Sequence, residues 1–113
     1  MAFSPLPLTG PFQVGAERGA NGLHVALAGE LDLLTVPLLT YELDLDPEVG
    51  PVIVDLAELS FIDFSGLAVF VAAAERAERR GRPFKIVNPT PRVRRVFELT
   101  GADHLLATNA QGE

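Results

Sequence analysis

The chain has 113 residues, 48% of them hydrophobic, with a formal net charge of -6 and no cysteine. That length and apolar content fit one compact domain with its own core, and the missing cysteine excludes thiol catalysis, cysteine–zinc sites and a disulfide framework. No run of ~18 apolar residues offers itself as a membrane span, and the acidic balance argues against a general nucleic-acid binder.

Residues 1–11 carry three prolines and no basic residue. They read as a flexible N-terminal segment and not as a signal peptide. Phe12 to Glu17 is expected to form a first strand, and Arg18 to Gly22, with two glycines and an asparagine, a hairpin-type turn. Leu23 to Gly29 alternates Leu23, Val25 and Leu27 with His24, Ala26 and Ala28, the period of a strand with one strongly apolar face. The two strands are expected to pair antiparallel.

Gly29-Glu30-Leu31-Asp32 then leads through Leu33-Leu34-Thr35 into a first helix. Thr35 is its expected cap and Pro37 falls in its first turn, where a missing N–H costs little. Leu38, Leu39 and Leu43 are its expected apolar stripe, and Asp44 to Gly50 its exit. Val52 to Leu56 is a nearly continuous apolar run, as a buried parallel strand requires.

A short loop is expected next, and then the most informative segment of the chain, Phe61-Ile62-Asp63-Phe64-Ser65-Gly66-Leu67. It opens a second helix, from Ser65 to about Arg80, with Leu67, Phe70, Val71, Ala74 and Ala77 on its inner face and Glu75 and Arg79 on its wet side. Asp63 and Ser65 therefore stand at a helix N-terminus, among unpaired N–H groups and the positive end of the helix dipole. Either residue is a competent cap there, and a phosphate would be held by the same groups. Gly81 ends the helix.

Pro83 starts a short strand, Phe84 to Val87. Thr90 caps a third helix, Pro91 takes its first position, Val93, Val96, Phe97 and Thr100 form its inner stripe, and Gly101 closes it. His104 to Ala107 reads as a last strand or turn, and residues 108–113 as a polar tail. The order β-β-α-β-α-β-α implies an α/β domain over residues 12–107, a small mixed sheet with helices packed on it through right-handed crossovers.

Charge is placed unevenly. Glu30 to Asp63 holds nine acidic residues and no Lys or Arg, whereas Arg76 to Arg95 holds eight of the nine basic residues. Solvated helix faces account for that most simply. A docking surface for a charged partner is the sharper reading.

Signals for catalysis are poor. His24 and His104 have no partner at metal-ligand spacing. Neither a GxxxxGK loop nor a GxGxxG loop is present. Ser65 lacks the glycine two residues earlier that a nucleophile elbow needs. No cofactor and no metal is expected.

Three segments carry a resemblance. Gly29-Glu30-Leu31-Asp32, the Phe61–Leu67 motif, and Pro91-Arg92-Val93-Arg94-Arg95-Val96-Phe97-Glu98-Leu99-Thr100-Gly101 occur in the order and spacing of the STAS domain, and the chain most resembles its bacterial anti-sigma-factor antagonists over roughly residues 12 to 107. The resemblance implies a single STAS-like α/β domain, a small mixed sheet with helices on one side. It also implies a cytoplasmic, non-enzymatic partner switch. Such an antagonist binds an anti-sigma factor that is itself a GHKL-type serine kinase, and so frees a sigma factor. Phosphorylation at the N-terminus of the second helix then separates the complex.

One position departs from that pattern. In switching members the accepting Ser or Thr directly follows the motif Asp, and here that residue is Phe64. Three readings follow: binding without a switch at this site, which is the favoured one; a shifted acceptor at Ser65, about 100° away round the helix; or a different partner, such as the lipid-transport ABC ATPase that some stand-alone STAS proteins serve as accessory subunits. Nucleotide binding, known in parts of the family, has no motif here.

The expected partner interface is Asp32, Thr35, Asp63, Phe64, Ser65 and Leu67, with no direct contact to nucleic acid and no membrane insertion. Phe64 is either an exposed interface anchor or a side chain folded back into the core. Leu67 is open to the same question, because it also begins the inner stripe of its helix.

Overall fold

Alternation decides where the core forms. In β2 (Gly22–Leu31), Leu23, Val25 and Leu27 are fully buried while His24 and Ala26 are half-buried. In β3 (Val52–Ile62) the same phase buries Val52, Val54 and Leu56. The buried residues of the helices join this face in one cluster: Leu39 and Leu43 from α1 (Val36–Asp44), Leu67, Phe70 and Ala73 from α2 (Phe64–Arg79), and Val93 and Phe97 from α3 (Pro91–Thr100). The computed structural model describes residues 12–45 and 50–107. The expected N-terminal segment, the polar tail and part of the exit from α1 lie outside the described residues.

The sheet has four strands in the order β1-β2-β3-β4. β1 (Phe12–Gly19) pairs antiparallel with β2; β2 with β3 and β3 with β4 (Phe84–Val87) pair parallel. It is thus the mixed sheet with three helices that the element order implies. The rings of Phe70 and Phe97 stack with centroids 6.2 Å apart and join α2 to α3, a contact worth about 0.5–1.5 kcal/mol beyond its buried area. Thr90 caps α3 by accepting the Val93 N–H, and its hydroxyl also reaches the Leu59 carbonyl at 3.3 Å, which ties α3 to β3.

Several expectations need correction. The hairpin is tighter than expected, because Gly19 pairs with Gly22 and leaves only Ala20 and Asn21 in the turn. β3 runs for 11 residues, so no loop separates it from the Phe61–Leu67 motif. Past Leu56 the buried positions are Leu59 and Ile62, spaced by three, and the ladder to β2 shifts register between Ala26 and Ala28 and again between Gly29 and Glu30. Such bulges break the two-residue period from which a strand is read.

The helices show smaller differences. On α1, Leu38 faces solvent while Leu39 and Leu43 are buried. On α2 the inner positions are Leu67, Phe70, Ala73 and Ala77, while Val71 and Ala74 are half-buried at the margin. On α3, Thr100 is exposed, its hydroxyl donating back to the Val96 carbonyl at 2.7 Å. His104 to Ala107 forms neither a full strand nor a simple turn. A 3-10 turn, Asp103–Leu105, is followed by a single parallel bridge between Leu106 and Ile86.

Candidate functional site

The parallel pairing of β2 with β3 brings Leu31 opposite Ile62 at the carboxyl ends of two neighbouring strands. Asp32 follows one and Asp63 the other. The Asp63 N–H donates to the Leu31 carbonyl at 3.1 Å, which fastens the two chain exits together. In open α/β sheets the carboxyl ends of parallel strands are where loops and helix N-termini gather into a site.

Asp32 organises the first loop. Its Oδ1 accepts the N–H groups of Leu34 at 3.0 Å and Thr35 at 3.1 Å. Thr35 was the expected side-chain cap of α1, but its hydroxyl accepts the Asp32 N–H at 2.9 Å and reaches the Glu30 carbonyl at 2.9 Å. Oδ1 of Asp32 receives the N–H groups at the entry to α1 instead, because a carboxylate oxygen can accept two of them while the Thr35 hydroxyl is already committed to the Asp32 N–H and the Glu30 carbonyl. The polar atoms of this loop are thus used within the loop, and its apolar pair, Leu33 and Leu34, stands out in solvent.

Asp63 caps α2. Its Oδ1 accepts the Gly66 N–H at 3.0 Å and the Ser65 hydroxyl at 2.6 Å. The Ser65 hydroxyl is the main reason its carboxyl is held below the ordinary value of 3.8; partial burial opposes this, and the N–H groups of Gly66, Ser65 and Leu33 add to the lowering. A carboxylate with a lowered pKa is a weak base, so it does little to activate the serine as a nucleophile.

Gly66 sets how closely α2 sits on the sheet. A Cβ built there would lie 2.8 Å from Leu31 Cγ and 3.0 Å from Ile62 Cγ1. Only a residue without a side chain lets the first turn of α2 rest on both strand ends.

The six residues of the expected interface all lie at this end of the sheet, and the structure divides them by exposure. Phe64 is 74% exposed, so it is not folded into the core. Leu67 is 7% exposed and belongs to the core cluster, with only an edge at the surface. Asp32, Thr35, Asp63 and Ser65 are half-buried, and their side chains are hydrogen-bonded within their own loops. Sequence reasoning passed over two features. Leu33 and Leu34 were read only as a passage into the helix, although an apolar pair between a turn-forming Asp and a Thr is a visible signal. A shallow apolar groove of about 380 Å³ runs from Phe64 past Leu67, Ala68, Val71 and Ala72 to Glu75 and Thr100. It needs α3 beside α2, which no local pattern announces.

Part of the basic stretch lies elsewhere. Arg76, Arg80 and Arg82 line a crevice at the far end of α2, which begins about 20 Å from Asp63 along the helix at Arg76. Arg82 donates to the Gly50 carbonyl at 2.8 Å. Among the described residues no group of three or more His, Asp or Glu side chains gathers, and no helix is long and apolar enough to cross a membrane.

The family model described as "Mlab, STAS domain" matches residues 14–107. The chain belongs to the STAS domain family. It is 30% identical over 101 residues to the anti-sigma-B factor antagonist of Bacillus subtilis, covering 88% of this chain and 93% of that one. It is 33% identical over 100 residues to the anti-sigma-B factor antagonist of Listeria monocytogenes, covering 86% and 88%. Its fold matches the crystal structure of an anti-sigma factor antagonist from Mycobacterium paratuberculosis with a TM-score of 0.72 at 26% identity, over 88% of this chain and 87% of that one. Anti-sigma factor antagonists are non-enzymatic regulators.

Proposed function

We infer that this STAS domain is a partner-binding module that acts as an anti-sigma-factor antagonist. Through the β2–α1 loop and the N-terminus of α2 it binds an anti-sigma factor of the GHKL serine-kinase type in the cytoplasm and so releases a sigma factor. The observation that carries the reading is Phe64, a large aromatic held in solvent at the first position of α2 with an apolar groove behind it. Exposed aromatics beside a rigid backbone are the usual anchors of protein interfaces.

Binding without phosphorylation at this end of the domain is supported by the same residue. Phe64 offers no hydroxyl, and the Ser65 hydroxyl is turned back onto Asp63. The absent acceptor also favours a second reading, in which the same surface packs on a lipid-transport ABC ATPase as an accessory subunit.

The test is affinity capture from the native cell with the purified domain as bait, wild type beside Phe64→Ala, followed by identification of the bound protein. A GHKL kinase captured by wild type and lost with Phe64→Ala supports the antagonist reading. Capture of ATPase subunits instead supports the second. Equal capture of the same partners by both proteins removes Phe64 and this surface from the argument.

A further inference from the structure

The basic stretch of the sequence and the apolar groove meet on α3. Both α2 and α3 start at the carboxyl end of the sheet, and the groove runs from Phe64 to Glu75, about 16 Å or three helical turns. Its floor is Leu67, Ala68, Val71 and Ala72. On α3, Arg92, Val96 and Thr100 stand four residues apart and form one ridge. Thr100 lines the groove and Val96 packs against the core, so Arg92 continues that wall two turns nearer the start of the helix. Leu99 and Arg95 follow round α3, about 20° and 60° further from the core than Arg92. All three are exposed, Leu99 by 72%.

Charge and shape identify the occupant. Among the described residues neither Arg92 nor Arg95 pairs with a carboxylate. Arg94 and Glu98 share the opposite flank of α3, more than about 100° round from Arg92, and Glu75 lies at the far end of the groove. The wall nearest Phe64 therefore carries uncompensated positive charge, on a chain whose net charge is -6. Alanines in the floor let another backbone approach closely, and a valley of this length between two helices is a seat for a third. A membrane surface is flat and would touch only the rims. A nucleic acid needs rings to stack on, and this floor is aliphatic.

We propose that the groove between α2 and α3 receives an amphipathic helix of the partner protein, with its apolar seam on Ala68, Val71 and Ala72 and with Asp or Glu on the flank that meets Arg92 and Arg95. This rests on the reading of Phe64 as the partner's anchor and adds the chemistry that the partner presents. The seam supplies affinity, while the two arginines fix which way the helix lies and reject a basic one.

The test uses the whole chain and a fluorescent helical peptide with leucines at i, i+3, i+4 and i+7 and glutamates along one flank. A second peptide carries lysines at the flanking positions. Fluorescence anisotropy is expected to give about tenfold tighter binding of the glutamate peptide, weakened by salt. Arg92→Glu/Arg95→Glu should reverse the order of the two peptides. Arg94→Glu, on the opposite flank of the same helix, should leave the order intact. Ala68→Gln, at an exposed floor position, should weaken both peptides about tenfold, and melting curves check that each variant is folded. Equal affinity of wild type for the two peptides, or saturable binding of neither, overturns the proposal. So does a reversal by Arg94→Glu as complete as that of the double variant. Weakening of both peptides by Phe64→Ala with no preference between them overturns it too, yet leaves the anchor reading standing. A glutamate preference that Phe64→Ala does not touch supports the acidic helix and removes the anchor. Self-association in sedimentation that Arg92→Glu/Arg95→Glu abolishes would assign the groove to a second copy and overturn the proposal. Binding to phosphatidylcholine–phosphatidylglycerol vesicles that the double variant loses would assign it to a membrane and likewise overturn it.

Discussion

The Ser65 hydroxyl donates to Asp63 Oδ1 at 2.6 Å, two residues along the first turn of α2, and so points back at the cap and not outward from the helix. The pair answers which of the two residues caps the helix. Asp63 receives the N–H of Gly66, and Ser65 supports Asp63.

Ser65→Ala should therefore act through Asp63. Its carboxyl pKa, followed by carbon-13 NMR, is expected to rise toward 3.8, because the hydroxyl is the largest cause of its lowering. A folded pKa below the unfolded one means stability that is fully present above 3.8 and is lost as pH falls through the folded value. The stability gap between wild type and Asp63→Asn should accordingly be level at neutral pH and narrow only in that acid range. An unmoved Asp63 titration in Ser65→Ala would show that the hydroxyl does not govern the carboxylate.

Removing the cap should cost more than removing its support. Asp63→Ala is expected to lose ~0.5–2 kcal/mol, and Ser65→Ala about 1 kcal/mol at most, the net worth of one hydrogen bond. Urea melts of both variants check the order. The reverse order would make Ser65 the cap.

Phosphorylation gives the sharpest contrast. With a cognate GHKL kinase and ATP, residues 61–67 of wild type should stay unmodified, and Phe64→Ser should gain a phosphate on the new hydroxyl. Phosphopeptide mass spectrometry reads both outcomes. Stoichiometric phosphate on Ser65 of wild type, absent from Ser65→Ala, would restore a phospho-switched antagonist with a shifted acceptor.

Phe64 and Leu67 should separate binding from folding. Phe64→Ala, at an exposed site, is expected to change stability by no more than ~0.5 kcal/mol while weakening partner binding by ~1–3 kcal/mol. Leu67→Ala should cost ~2–5 kcal/mol of stability, as core leucines do. Thermal melts beside binding isotherms make the comparison. A large stability loss in Phe64→Ala with unchanged affinity would sink the anchor reading.

Gly66→Ala tests the close approach of α2 to the sheet. The added methyl would press on Leu31 and Ile62, and an overpacked contact of this kind costs ~1–3 kcal/mol. A variant as stable as wild type would mean that α2 can lift away freely.

The sequence made some of this legible and hid the rest for definite reasons. Leu23, Val25 and Leu27 announce β2, and Thr90-Pro91 announces α3, because alternation and capping are local rules. The second half of β3 was hidden because bulges break its period. Leu38 was misplaced because α1 is apolar on two sides, and spacing alone does not say which faces inward. At the site, the ends of β2 and β3 could be guessed to meet, but the division of labour between Asp63 and Ser65 depends on a side-chain bond that spacing does not predict. The exposure of Phe64 was likewise open until the first turn of α2 was seen to present it to solvent.

The contact of Gly66 with Leu31 and Ile62 has a mechanical consequence. The first turn of α2 and the ends of two parallel strands form one stiff body, so a partner that grips Phe64 pulls on the sheet itself and not on a hinge. Little ordering entropy is then left to lose when the complex forms, which is the condition under which a few side chains can supply most of an affinity. Loosening that seat should slow nothing in the approach of the partner, but it should shorten how long the complex lasts.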